Sequence, residues 1–396
     1  MLSERINRIQ PSPTLAVSAK SKAMRAKGED VLSFDVGEPD FDTPEHIKDA
    51  CIKALRDGDT KYTAAAGTPA FRAAIAKKLA RENGLEYSPD DIVVSSGGKH
   101  SLFNIFQTIL NPGDEVLIPA PYWVSYPDQV LLADGVPVFL PTTDKDGFRI
   151  SPEQLEIALK EHPRVKAVVL NSPSNPTGAV YPPALLRQLA EVLDKYPHVL
   201  VVSDEIYEHM VYAPNEQWSV ARFSREFKNR TVIVQGLSKT YAMTGWRIGW
   251  TASTPELAKA MGKLQSQSTS NPTSFAQAGG IAALEGPIPT EMLREFERRG
   301  GIMRELLKDI PGFDVPRPEG AFYLFPKVSR LFGIMVGKDR QISSASDLTN
   351  YLLDVAKVAA VPGEGFGAPD HVRFSYANSL ENIKRGVNRI LGVLPE

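Results

Sequence analysis

The chain of 396 residues contains little cysteine, no strong excess of either charge and no long apolar run. Its single cysteine, Cys51, excludes an internal disulfide and is typical of a reducing compartment. The formal net charge of -2 gives no general reason to expect nucleic acid or an anionic membrane as a partner. We therefore expect any anion-binding site to be local.

The sequence also lacks the signals of export, membrane insertion and zinc binding. No apolar run approaches the length of a membrane span, and the first residues, MLSERINRIQPSPT, have no signal-peptide core. The six histidines form no HExxH pair, and a single cysteine makes a dedicated metal site unexpected. These absences predict a soluble, cytoplasmic protein without a metal, nucleic-acid or membrane partner.

The sequence is rich in short Val/Ile/Leu runs that alternate with amphipathic helical stretches. Near-continuous β-branched runs predict strands buried on both faces, as in a mostly parallel sheet covered by helices. The predicted strands are 91–96, 115–120, 136–140, 165–171, 199–205, 231–236 and 247–253. Segments such as SPEQLEIALKEH have helical apolar spacing. The alternation predicts an α/β layer fold.

The pattern changes near residue 290. A charged helical stretch, EMLREFERRGGIMRELLKDI, is followed by a Pro/Gly-rich region, the apolar run AFYLFP and a final helix. We predict a large domain over residues 41–290 and a smaller α+β domain over residues 291–396. The N-terminal arm, residues 1–40, is predicted to join the smaller domain.

Small and polar residues directly follow five of the predicted strands. The segments in question are GGKH, PYW, SPSNPTG, DEIY and LSK. Ligands of open α/β sheets bind beyond the carboxyl ends of the strands. The sequence therefore predicts one site that these five segments share.

Taken singly, these residues also have ordinary structural explanations. The GGK turn is compatible with a plain strand-to-helix connection as well as with a phosphate site at a helix N-terminus. Asp204 fits a helix cap, Asn175 a turn residue, and Tyr207 and Trp123 packing aromatics. Neither lysine of these turns completes a Walker loop, and GEGFG is not a dinucleotide fingerprint, which disfavours nucleotide binding.

A set of motifs spans almost the whole chain. In order they are GEPDFDTP, KYTAAAG, PYWVSYP, NSPSNPTGAV, SDEIYE, SKTYAMTGWRIG and RPEGAFY. In this combination the chain resembles the class I/II aminotransferases, and it is most similar to their bacterial aspartate aminotransferase branch. The resemblance implies the fold type I architecture, with a mostly parallel seven-stranded sheet in the large domain. It also implies pyridoxal 5'-phosphate as the cofactor.

The resemblance implies a role for each matching residue around the cofactor ring. Lys239 matches the lysine that forms an imine with the cofactor and then moves the substrate proton. Asp204 matches the carboxylate that pairs with the ring nitrogen. Asn175 and Tyr207 match the partners of the phenolic oxygen, and Trp123 matches the aromatic stacked on the ring.

Other matches concern the cofactor phosphate. The implied phosphate-binding residues are Ser238, Arg247 and the backbone of Gly98 and Lys99, with Tyr62 supplied by a neighbouring subunit. This last role implies a homodimer. Gly236 stands where many relatives carry a serine, and Gly245 is predicted to end the turn before Arg247.

The substrate residues follow in the same way. Arg373 matches the arginine that binds the substrate α-carboxylate, and Gly37 matches a backbone position close to the substrate, beside Trp123 and Asn175. The side-chain carboxylate is attributed to Lys99, Ser12 and Thr14. The residues themselves leave Lys99 open between this role and that of a solvated residue at a helix start.

The implied reaction is the transfer of the amino group of L-aspartate to 2-oxoglutarate by a ping-pong route. The alternatives are an aminotransferase of the same fold for aromatic amino acids, alanine or prephenate, or a β-C–S lyase. Relatives that accept prephenate carry a basic residue where this chain has Gln10, which disfavours that substrate. A non-catalytic regulator would need an added DNA-binding module, for which the chain has no basic segment.

Overall fold

The computed structural model describes residues 2–337 and 340–395. The helices are α1 (Glu4–Asn7), α2 (Pro13–Ala26), α3 (Glu45–Arg56), α4 (Pro69–Lys78), α5 (Gly98–Ile109), α6 (Ser125–Leu132), α7 (Pro152–Glu161), α8 (Pro183–Leu193), α9 (Arg225–Asn229), α10 (Pro255–Ser266), α11 (Ser274–Glu285), α12 (Thr290–Lys308), α13 (Ala345–Tyr351) and α14 (Leu380–Leu391). Within these described ranges, no helix has both the length and the apolar character that a membrane crossing requires.

The strands are short, and most are buried. They are β1 (Leu32–Ser33), β2 (Ile92–Ser95), β3 (Glu115–Ala120), β4 (Val136–Pro141), β5 (Val165–Asn171), β6 (Leu200–Asp204), β7 (Thr231–Gly236), β8 (Gly249–Ala252), β9 (Tyr323–Leu324), β10 (Met335–Val336), β11 (Arg340–Gln341), β12 (Val358–Ala359), β13 (Val361–Pro362) and β14 (Val372–Ser375).

The central sheet has seven strands in the order β2-β8-β7-β6-β5-β3-β4. Strands β3 to β7 run parallel to one another, whereas β8 is antiparallel to both of its neighbours. Each of the seven strands predicted from the sequence lies in this sheet. The prediction of a mostly parallel seven-stranded sheet is therefore confirmed.

One predicted strand is shorter than expected. Strand β8 begins at Gly249, two residues after the predicted start at Arg247, because Arg247 has a φ of 58° and closes a 3-10 turn over Thr244–Trp246. A left-handed residue interrupts an extended run. The prediction that Gly245 ends this turn is wrong, since Arg247 takes the left-handed conformation itself.

A second layer joins the two ends of the chain. Strands β13, β14 and β9 form an antiparallel sheet, and β1 pairs in parallel with β12, so that Leu32 lies opposite Val358. A buried cluster that includes Phe34, Phe296 and Phe374 packs these strands against α12 and α14. The domain boundaries at residues 40 and 290 stay predictions.

Candidate active site

A cavity of about 290 Å³ lies at the carboxyl ends of the central strands. Residues that follow five of these strands line it together with residues of the N-terminal arm and of β14. All of the predicted site residues except Ser12 and Tyr62 contribute to the wall: Thr14, Gly37, Gly98, Lys99, Trp123, Asn175, Asp204, Tyr207, Ser238, Lys239, Arg247 and Arg373. The strand ends therefore converge as the sequence predicts.

Lys239 lies in the turn that follows β7 and reaches into the cavity. Its Nζ donates a 2.6 Å hydrogen bond to the carbonyl oxygen of Gly37. The pKa of Lys239 is lowered to about 8, chiefly by burial and also by the charges of Arg373 and Arg247, against the opposing effect of Glu38. The amine is therefore much easier to deprotonate than that of an ordinary lysine.

Asp204, the last residue of β6, is a buried carboxylate held by neutral donors. Tyr126 donates a hydrogen bond of 2.6 Å to Oδ2, and the backbone N–H of Ile206 donates one of 3.2 Å to Oδ1. Burial raises the pKa of Asp204 to about 6, although both hydrogen bonds oppose this shift. The carboxylate is thus suited to a cationic partner inside the cavity.

Another part of the wall is suited to an anion. Helix α5 begins at Gly98, and the first backbone N–H groups of a helix are free to bind a negatively charged group. Arg247 lies beside this helix start and donates to the carbonyl oxygens of Thr244 (2.8 Å) and Ser96 (3.2 Å). Ser238 also lines the cavity here.

This anion-binding region depends on two glycines. A Cβ at Gly97, whose φ is +86°, would lie 2.5 Å from Nη2 of Arg247. A Cβ at Gly249 would lie 2.4 Å from the backbone nitrogen of Gly98. Only glycine allows the helix start, Arg247 and β8 to approach so closely.

Arg373, on β14, is buried and aimed at the cavity from the second layer. Its Nη1 donates to Oδ1 of Asn175 at 2.9 Å, and its Nη2 donates to the carbonyl oxygen of Asp35 at 2.7 Å. The ring centroid of Tyr323 lies 4.6 Å from the guanidinium carbon. A rigid, fork-shaped cation in this position matches the geometry of a carboxylate ligand.

Several lining residues were not assigned a role from the sequence. Tyr126 contacts Asp204, and Tyr323 shares a 2.7 Å hydrogen bond with Tyr207. Both tyrosines lie inside motifs already noted, PYWVSYP and RPEGAFY, and this is the sequence feature that points to their place at the site. Asn171, the last residue of β5, could have been found from its strand-end position.

Two predicted residues do not line the cavity. Ser12 is hydrogen-bonded to Thr14 at 2.9 Å, and Ser18, one helical turn further along α2, lines the cavity with Thr14. Tyr62 is 90% exposed on this single chain. Lys99 does line the cavity, with its Nζ 5.0 Å from the ring centroid of Trp123.

The chain matches one family of enzymes over most of its length. Residues 29–390 match the sequence model of the family described as aminotransferase class I and II. The protein therefore belongs to this aminotransferase family, as the motifs predicted.

Individual relatives are similar over the whole chain. The aspartate aminotransferase of Geobacillus stearothermophilus is 50% identical, with 98% of each chain covered. The probable aspartate/prephenate aminotransferase of Aquifex aeolicus is 49% identical, with 100% of this chain and 99% of the relative covered. The solved structure of Thermus thermophilus aspartate aminotransferase with maleate is 42% identical, with a TM-score of 0.91 and 100% of each chain covered.

Proposed function

We propose that this protein is a pyridoxal-phosphate-dependent aminotransferase that moves the amino group of L-aspartate to 2-oxoglutarate. The observation that carries the proposal is the arrangement of Lys239 in one cavity with a buried carboxylate, an anion-binding helix start and the buried Arg373. The names of the relatives from Geobacillus stearothermophilus and Thermus thermophilus support aspartate as the substrate.

The chemistry of the donor set fits pyridoxal phosphate. Among the residues that the structure describes, Asp204 receives hydrogen bonds from neutral donors only, so a protonated ring nitrogen would supply a cationic partner. The start of α5, Ser238 and Arg247 would hold the phosphate, and Lys239 would hold the aldehyde carbon. When bound, the cofactor supplies an electron-withdrawing ring that stabilises negative charge at the substrate Cα.

The protein's own groups account for binding and proton transfer. Arg373 would bind the α-carboxylate and so orient the Cα–H bond toward Lys239. Because burial lowers the pKa of Lys239 to about 8, a substantial fraction of its amine is neutral near physiological pH and can accept that proton. Asn175 and Tyr207 would fix the remaining polar edge of the ring.

We infer that Lys99, Thr14 and Ser18 recognise the side-chain carboxylate of aspartate. All three line the cavity, and Lys99 adds a positive charge beyond Arg373. The presence of maleate, a dicarboxylate, in the Thermus thermophilus structure supports a site for two carboxylates. Prephenate is the second candidate substrate, because it also carries two carboxylates and appears in the name of the Aquifex aeolicus relative.

We further propose that two copies of the chain share their active sites. Tyr62 is 90% exposed, and the preceding helix α3 exposes Ile52 and Leu55, which are apolar residues on the same stretch of chain. A second copy that covered this surface would bury these side chains and bring Tyr62 to the phosphate of its partner.

An amino-donor panel tests the proposed reaction. Purified protein loaded with pyridoxal phosphate is mixed with 2-oxoglutarate and one amino donor, which is aspartate, alanine, phenylalanine or cysteine. In a further mixture, aspartate is the donor and prephenate replaces 2-oxoglutarate as the acceptor. We expect the highest kcat/KM with aspartate and 2-oxoglutarate, and no turnover by Lys239→Ala. Turnover by Lys239→Ala near the parent level would refute the assignment.

A further inference from the structure

The two loops that carry Asp204 and Lys239 are polar on the side that faces away from the cavity. At the end of β6, Asp204 and Tyr207 line the cavity, whereas Glu205 and Glu208 are buried and absent from its wall. Buried charged groups are costly unless they are paired. The hydrogen-bond and ion-pair partners of Glu205 and Glu208 therefore indicate the role of this buried polar region.

A buried ion-pair network connects these loops to the end of α4. Lys78 pairs with Glu208 and donates to Oε1 of Gln235 at 3.1 Å. Gln235, on β7, in turn donates to Glu205 at 3.1 Å and to Glu208 at 2.9 Å. The network therefore ties the ends of β6 and β7 to one another.

A second connection ends at the residue that follows Lys239. Nδ1 of His209 lies 3.0 Å from Oγ1 of Thr240, and Nε2 of His209 lies 3.0 Å from Oε2 of Glu82. Glu82, His209 and Thr240 thus form a continuous carboxylate–imidazole–hydroxyl chain. We call it the Glu82 chain.

The hydrogen bond between His209 and Glu82 has a defined direction. Burial raises the pKa of Glu82, but hydrogen bonds from His209 and Arg81 and the charge of Lys78 lower it to about 2. An ionised carboxylate only accepts hydrogen bonds, so Nε2 of His209 must donate to Glu82. Nδ1 is then the ring nitrogen left to pair with the Thr240 hydroxyl, 3.0 Å away.

The same three types of group form the nucleophilic site of hydrolases. Thr240, however, is 2% exposed and is absent from the cavity wall. No substrate reaches a hydroxyl buried in this way, so the Glu82 chain is a support and not a second catalytic centre.

We propose that the Glu82 chain positions the turn that carries Lys239, with His209 and Thr240 as positioning residues for the proton transfer. This inference rests on the proposed function. Adjacent Cα atoms are about 3.8 Å apart, so fixing Thr240 fixes the backbone of Lys239. Within the turn, the N–H of Tyr241 donates to the carbonyl oxygen of Leu237 at 3.2 Å, and that of Met243 to the carbonyl oxygen of Ser238 at 3.1 Å. The Glu82 chain ties this turn to the π-helical segment Leu79–Asn83, which continues α4 and contains Glu82.

The test compares two substitutions of Thr240 with a matched control. Thr240→Val keeps the side-chain shape and removes the hydroxyl, Thr240→Ser keeps the hydroxyl, and Thr251→Val makes the same isosteric change at a buried site on β8. For each variant we measure kcat and KM for aspartate, the dissociation constant of pyridoxal phosphate from the apoprotein, and the apoprotein Tm. We expect Thr240→Val to lower kcat about tenfold or more with little change in KM, because small displacements of a reacting group are costly.

Thr240→Val should also weaken cofactor binding, whereas the kcat and the cofactor affinity of Thr240→Ser and Thr251→Val should stay close to those of the parent protein. Equal kcat and cofactor affinity in Thr240→Val and Thr251→Val would overturn the proposal, even if Tm falls. Equal losses of kcat and cofactor affinity in Thr240→Val and Thr240→Ser would also overturn the proposal, since the packing of the side chain and not its hydroxyl would then be responsible. A parent protein inactive toward aspartate would refute the proposed function alone, and the cofactor affinities would still decide the role of the Glu82 chain.

Discussion

The hydroxyl of Tyr126 donates a 2.6 Å hydrogen bond to Oδ2 of Asp204, and both side chains are buried. Burial raises the pKa of Asp204 to about 6, and this hydrogen bond is the largest effect that opposes the rise. Tyr126 therefore helps to keep ionised the carboxylate that we propose to face the cofactor ring.

Replacing Tyr126 by Phe should weaken cofactor binding by roughly tenfold, the usual effect of losing a hydrogen bond to a charged group. The loss should be larger at pH 6 than at pH 8, because the pKa of Asp204 rises further and its ionised fraction falls. Titration of the apoprotein with pyridoxal phosphate at both pH values measures this. Tyr122→Phe is the control, and the same loss in both variants would contradict the role of Tyr126.

Asp204→Asn should stabilise the apoprotein above pH 6. The folded-state pKa of about 6 lies above the ordinary aspartate value of 3.8, so the folded protein binds this proton more tightly than the unfolded chain does. Ionisation therefore costs stability, on the order of 2–3 kcal/mol at pH 8, and the cost disappears as the pH falls below about 4. Urea unfolding at pH 8 and pH 4 measures the difference, with the exposed Asp90→Asn as control. An equal gain in the free energy of unfolding at pH 8 and pH 4 would contradict the view that the ionisation of Asp204 causes it.

Attachment of the cofactor to the apoprotein should follow the ionisation of Lys239. Only the neutral amine reacts with an aldehyde, and the pKa of Lys239 is lowered to about 8. Stopped-flow absorbance should therefore show an attachment rate that rises through a midpoint near pH 8. Lys239→Ala supplies the background of non-covalent binding. A midpoint above about 10, the value of an ordinary lysine, would show that the cavity does not change the acidity of this amine.

Lys99→Ala should raise KM for aspartate by about tenfold or more, because it removes the charge proposed to face the second carboxylate. KM for alanine, which has no second carboxylate, should change little. Steady-state kinetics with both donors decide the matter, and the exposed Lys263→Ala controls for loss of charge alone. Equal effects on the two donors would rule out the role of Lys99 in recognition.

The sequence predicted the central sheet and the strand-end residues because both depend on local patterns. Buried Val/Ile/Leu runs identify strands, and the residues directly after them must meet at one edge of a parallel sheet. The strand that begins at Gly249 was misjudged because the left-handed conformation of Arg247 is not visible in its residue type. The contacts of Tyr126 and Tyr323 depend on long-range packing, which no local pattern specifies.

Ser12 and Tyr62 show a further reason why the sequence predicts the lining of the cavity only in part. A motif indicates that a residue belongs near a site, but it does not say which neighbours in the motif point toward it. In α2 the helical rotation directs Thr14 and Ser18 to the cavity and leaves Ser12 beside Thr14. For Tyr62, the predicted role requires a second chain.

The position of Arg373 on β14 determines when the cavity wall can be completed during synthesis of the chain. The ribosome makes the central strands first, whereas the guanidinium that reaches Asn175 and Asp35 belongs to residue 373 of 396. The cavity wall is therefore completed only after β14 has been made. We therefore expect the proposed cofactor to bind after β14 has been made, and the nascent protein to expose until then the apolar faces that β14 later covers.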